Sequence, residues 1–152
     1  MTIYNLWLFD ERGTCLYYRE WNRRKNTNMG RDEEAKLLYG MLFSTRSFVN
    51  KLSPADMKEG FLSYRTSSYR LNYFETPSSL KFIMNTDVGC THAVVRELLK
   101  AVYGQVYVEF ALKNPMYVPG EAIASELFTS KLDQVRFARN TGCGWWSDTW
   151  MG

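Results

Sequence analysis

The chain has 152 residues, a formal net charge of +3 and 16% aromatic residues. That length suits one domain with its own hydrophobic core, and the charge is too small and too evenly spread for a nucleic-acid footprint. Cys15, Cys90 and Cys143 are scattered without disulfide or zinc-site spacing, and no apolar run reaches the roughly 20 residues of a membrane span. These features describe a cytoplasmic chain with reduced thiols and no bound cofactor or metal.

From Ile3 to Phe9 both alternating faces are apolar, with Ile3, Trp7 and Phe9 on one and Tyr4, Leu6 and Leu8 on the other. A strand of that kind is central and needs packed layers on both sides. Asp10 to Gly13 supplies a tight turn, and residues 14–21 return as a second strand. Residues 23–30, which hold the tight basic run Arg23, Arg24 and Lys25, read as a solvated loop. Asp32 is the expected N-cap of a long helix whose stripe is Leu37, Leu38, Met41, Leu42, Thr45, Phe48, Val49 and Leu52. Glu33 and Glu34 near its start and Lys51 near its end suit the helix dipole, and Ser53-Pro54 stops it.

Strands are predicted over 61–66, 69–76 and 80–85, joined by turns of a few residues. A second helical stripe runs from Val94 to Phe110 behind Thr91 as a candidate cap, and Pro115, Pro119 and Gly120 break it. A third helix is predicted from about Glu121 to Arg139. One helix before the meander and two after it can cover the two faces of an antiparallel sheet, an α+β domain in three layers over residues 1–139. Residues 140–152 form an irregular tail with Trp145, Trp146 and Trp150. The tail packs back on the domain, meets a partner, or is a divergent disordered end.

Catalytic chemistry is sparse in this pattern. The only histidine, His92, lies two residues after Cys90, with no motif that supplies an orienting carboxylate or an oxyanion hole, and no phosphate-binding glycine loop is present. A small enzyme built on Cys90 and His92 is therefore the rival to a docking protein. On the first helix Gly40, Ser44 and Ser47 lie off the apolar stripe, on a face that either admits a close approach by another chain or holds a tolerated glycine among solvated serines.

Several stretches carry a family resemblance: Asn5 to Asp10 with Gly13, Leu37 to Ser44 with Arg46 to Val49, Tyr73 to Pro77, Met84 to Asp87, Lys113 to Pro115, and Ser125 to Asp133. In these the chain resembles the small longin-like subunits of the transport protein particle (TRAPP) tethering complex, up to about Arg139. The resemblance implies the longin fold, a five-stranded antiparallel sheet between one helix and two. It also implies a heterodimer with a second longin-like subunit, within a particle at the cis-Golgi and endoplasmic reticulum. That particle would tether vesicles and promote nucleotide exchange on a Rab-type GTPase, which requires no bond-making residue of this chain. Carried onto these residues, the partner platform would comprise Lys36, Gly40, Ser44, Ser47 and Lys51 on the first helix, with Tyr64 and Arg65 on the third strand. A longin-type small chain of a coat adaptor is the alternative on fold alone, whereas a SNARE would need a coiled coil and an anchor that residues 140–152 do not offer.

Overall fold

A computed structural model describes residues 2–22, 28–56 and 60–140. Five strands, β1 (Ile3–Phe9), β2 (Cys15–Glu20), β3 (Ser63–Arg65), β4 (Arg70–Glu75) and β5 (Lys81–Thr86), form one sheet in the order β2-β1-β5-β4-β3. Every neighbouring pair is antiparallel. Helix α1 (Arg31–Leu52) covers one face. Helix α2 (His92–Ala101), its π-helical continuation (Val102–Leu112) and α3 (Glu126–Asn140) cover the other. This is the three-layer longin-like arrangement expected above, and β1 lies inside it with both faces covered.

Two bulges correct the expected strand faces. The β1/β5 register shifts between Ile3 and Asn5, so Ile3 joins Leu6 and Leu8 in the core under α2 and α3, while Trp7 and Phe9 face α1. A one-residue shift exchanges faces because side chains alternate with period two. The β1/β2 register also shifts, between Leu8 and Phe9, which leaves Leu16 as the extra residue on β2.

The first turn follows its side chains closely. Asp10 Oδ1 accepts the N–H groups of Arg12 at 2.9 Å and Thr14 at 2.8 Å, and Gly13 takes a φ of +84°. Three helical expectations are corrected. Gly30, not Asp32, is the N-cap of α1, and Asp32 sits with Glu33 and Glu34 in its first turn. Thr91 caps α2 by position without a side-chain hydrogen bond, and beyond Ala101 the buried residues Val102, Val106, Tyr107 and Ala111 recur at the wider spacing of a π-helix. Helix α3 begins at Glu126 instead of Glu121, with Ser125 Oγ accepting the N–H of Phe128 at 3.3 Å.

Candidate docking surface

Helix α1 is held on the sheet from below. Ala35 and Leu42 are buried against Trp7, Phe9, Phe61, Leu71, Tyr73 and Ile83. Arg46 Nη2 reaches Glu75 Oε2 at 2.8 Å, its guanidinium lies 5.6 Å from the centre of the Tyr73 ring, and the Tyr73 hydroxyl donates to the same Glu75 oxygen at 3.0 Å. Burial, reinforced by the Glu75 charge, pushes the Tyr73 phenol up, so it stays a donor. Near the start of the helix, Tyr39 covers the first turn so closely that a Cβ on Gly13 would lie 2.7 Å from its ring. A helix fixed at several points along its inner side presents a preorganised outer side.

That outer side carries the residues the resemblance brought forward. Lys36, Gly40, Ser44 and Lys51 are exposed and Ser47 is half-buried. Among the described residues nothing lies within 4 Å of a Cβ added to Gly40, so no packing among them requires a glycine there. The apolar stripe is corrected on one flank: Leu37 is 59% exposed, Phe48 64% and Leu52 78%, and Phe43, which the stripe had not included, is 65% exposed. Four large apolar side chains on one helix, surrounding a bare glycine and two serines, make a surface suited to a protein partner.

The sheet directs attention to the same side. Along β2 the outer edge is covered, because the N–H of Ile123 donates to the Leu16 carbonyl at 2.7 Å. Asp133 of α3 accepts from Trp21 Nε1 at 2.7 Å and from Arg19 Nη2 at 3.0 Å, and the Tyr17 hydroxyl pairs with Thr129 Oγ1 at 2.9 Å. The opposite edge is the short strand β3, whose paired neighbour is β4. There Tyr64 is half-buried with its hydroxyl 2.6 Å from that of Tyr69, and burial raises its pKa. Arg65 is exposed and sits directly across from Arg70. Edge strands are natural sites of pairing with another chain.

The rival pair lies elsewhere. Cys90 is buried in the core beneath α2, and His92 Nδ1 lies 3.3 Å from Asn72 Oδ1, a fully buried side chain whose Nδ2 also donates to Met84 O at 3.2 Å and Thr86 Oγ1 at 3.1 Å. That network joins the start of α2 to the sheet. The tail tryptophans Trp145, Trp146 and Trp150 fall outside the described residues. Among the described residues, no helix is long and apolar enough to cross a membrane.

Residues 3–138 match the model of a family described as Sybindin-like. The chain belongs to the Sybindin-like family. It is 53% identical over 133 residues to trafficking protein particle complex subunit 1 of Rattus norvegicus, which covers 88% of this chain and 90% of that protein. It is also 34% identical over 163 aligned positions to transport protein particle subunit bet5 of Schizosaccharomyces pombe, covering 94% of this chain and 99% of that one. The chain is also similar to a different subunit: trafficking protein particle complex subunit 4 of Dictyostelium discoideum is 28% identical over 137 residues, covering 89% of this chain and 96% of that protein.

Proposed function

We propose that this chain is a structural subunit of a vesicle-tethering particle that works in traffic between the endoplasmic reticulum and the Golgi, where it sits peripherally. The 53% identity to a trafficking protein particle subunit, over nearly the whole of both chains, carries this reading. Its docking element is the outer face of α1 beside the β3 edge, comprising Lys36, Gly40, Ser44, Ser47 and Lys51 with Tyr64 and Arg65. The partner is a second longin-like subunit. Similarity to both subunit 1 and subunit 4 proteins supports a pair built from two related folds.

The assembled particle acts on a Rab-type GTPase by binding its nucleotide-free form more tightly than its loaded form, which lowers the barrier to nucleotide release. This chain contributes surface to that differential affinity and no group that makes or breaks bonds. The experiment is Gly40→Arg in the full chain, co-expressed with the second longin-like subunit. The open space around Gly40 predicts an intact fold and lost co-purification; assembly unchanged from wild type would refute the α1 platform.

A further inference from the structure

Two arginines face each other at the β3 edge. Arg65 of β3, exposed, lies directly across from Arg70 of β4, half-buried, and like charges in that relation repel. Tyr64, between Ser63 and Arg65, packs on the α1 side of the sheet, so both arginines stand on the opposite side. No acidic residue occurs from Gly60 to Phe74. The neighbour of Arg70 on its other side is Thr86 of β5, and Asp87 beyond it accepts the N–H of Thr2 at 3.2 Å. Among the described residues neither guanidinium forms an ion pair.

The backbone of the same strand is open outward. Tyr73 donates its N–H to Leu62 O at 2.9 Å and Thr66 donates to Tyr69 O at 2.8 Å, on either side of the paired Tyr64 and Leu71. In an antiparallel ladder these alternate residues bond inward, so Ser63 and Arg65 turn their N–H and C=O groups away from β4. β3 is the last strand of the sheet on that side, and its edge can take one more. A residue of the added strand directly across from Arg65 stands on the side of the sheet that holds both arginines.

We propose that the Arg65–Arg70 pair selects the chain that docks on the β3 edge: a strand of the second longin-like subunit with an Asp or Glu directly across from Arg65, and not a second copy of this chain. The proposal rests on the platform described above and names the charge required of its partner. A carboxylate at that position lies one strand spacing, about 4.8 Å, from Arg65 and two from Arg70, within reach of both side chains. It replaces repulsion inside this chain with charge-assisted pairing across the interface. A second copy does the opposite. Paired edge to edge about a two-fold axis, it brings the same strand, so both arginines of each chain gather on one side of the joined sheet with no carboxylate among them. Like charges placed together are an effective way to reject a wrong partner.

The test compares the full-length parent chain with Arg65→Glu and Arg65→Gln. Arg65→Glu sets an opposite charge against Arg70, so the isolated variant should unfold at a higher temperature than the parent. Its affinity for the second longin-like subunit should nevertheless fall at least tenfold, and that of Arg65→Gln should fall less. The parent's affinity should weaken as salt rises, and that of Arg65→Gln should weaken less steeply. The parent alone should sediment as a monomer. A parent dimer whose Ser63 and Arg65 amides are protected from exchange overturns the proposal, as does Arg65→Glu assembling as tightly as the parent, or a parent affinity indifferent to salt. Assembly that protects Arg31–Leu52 while Ser63 and Arg65 exchange as in the free chain overturns it too but leaves the α1 platform standing. A second subunit that fails to bind the parent removes both readings.

Discussion

Ile123 donates its backbone N–H to the carbonyl of Leu16 at 2.7 Å, so the bulge that disturbs β2 is also where the connection into α3 closes that edge of the sheet. Asp133 reinforces the closure by holding Arg19 and Trp21 together. The Arg19–Asp133 pair is over a third exposed on both sides and contributes little by itself, which leaves the Trp21 bond as the larger part. Asp133→Ala should cost about 1–2 kcal/mol in urea unfolding, with Asp133→Asn recovering part of it. Neither change should alter assembly, because the closed edge lies away from the α1 and β3 surface.

Two glycines should respond to alanine with opposite signs. Gly13 has a φ of +84° and the Tyr39 ring above it, so Gly13→Ala is strained twice and should destabilise by about 2 kcal/mol. Gly40 lies inside α1 with open space around it, so Gly40→Ala should stabilise by about 1 kcal/mol through helix propensity alone. Thermal unfolding of the two variants beside the parent chain checks both signs.

Alkaline pH should loosen the fold over a defined window. Burial, aided by Tyr117, pushes the Tyr107 phenol from 10.0 up to about 12, and burial also raises Tyr64 and Tyr73. A tyrosine that holds its proton more tightly when folded contributes its full stability below the unfolded pKa of 10.0 and loses it as pH rises through the folded value. Stability should therefore hold to about pH 10 and fall between pH 10 and 12. Urea midpoints measured across that range test this, and midpoints that stay flat would contradict it.

The two sides of α1 should separate stability from docking. Leu42 is 2% exposed, and Leu42→Ala should cost about 2–5 kcal/mol as a core truncation. Phe48 is 64% exposed, and Phe48→Asp should leave stability within about 0.5 kcal/mol while weakening association with the second subunit tenfold or more. Denaturant unfolding and affinity, measured on both variants, give the comparison.

The doubly apolar β1 and the helix-before-meander order were enough to read three layers from residues alone, since a strand such as Leu6 to Phe9 has no other way to leave water. What the pattern did not disclose came from contacts between elements. Ile3 changed faces because a bulge resets the period-two count, and the bulge depends on the register with β5. Leu37, Phe48 and Leu52 recur at helical spacing like Leu38 and Leu42, and only the seat of α1 on the sheet decides which half of that broad stripe faces inward. Likewise α3 starts five residues late because Ile123 is engaged with Leu16. Gly40, Ser44 and Ser47 stood out by lying off the stripe and Lys36 and Lys51 entered through family resemblance, whereas the apolar members that give the α1 surface adhesive character became visible with burial. Phe43 was detectable beforehand as a large apolar residue off the stripe.

Amide hydrogen exchange of the chain alone and of the chain assembled with the second longin-like subunit tests the central claim most directly. Docking through α1 predicts added protection across Arg31–Leu52 and Ser63–Arg65, with exchange unchanged around Met116, Val118 and Phe137 on the other side of the fold. Protection confined to that second region, with α1 and β3 exchanging as in the free chain, would contradict the account.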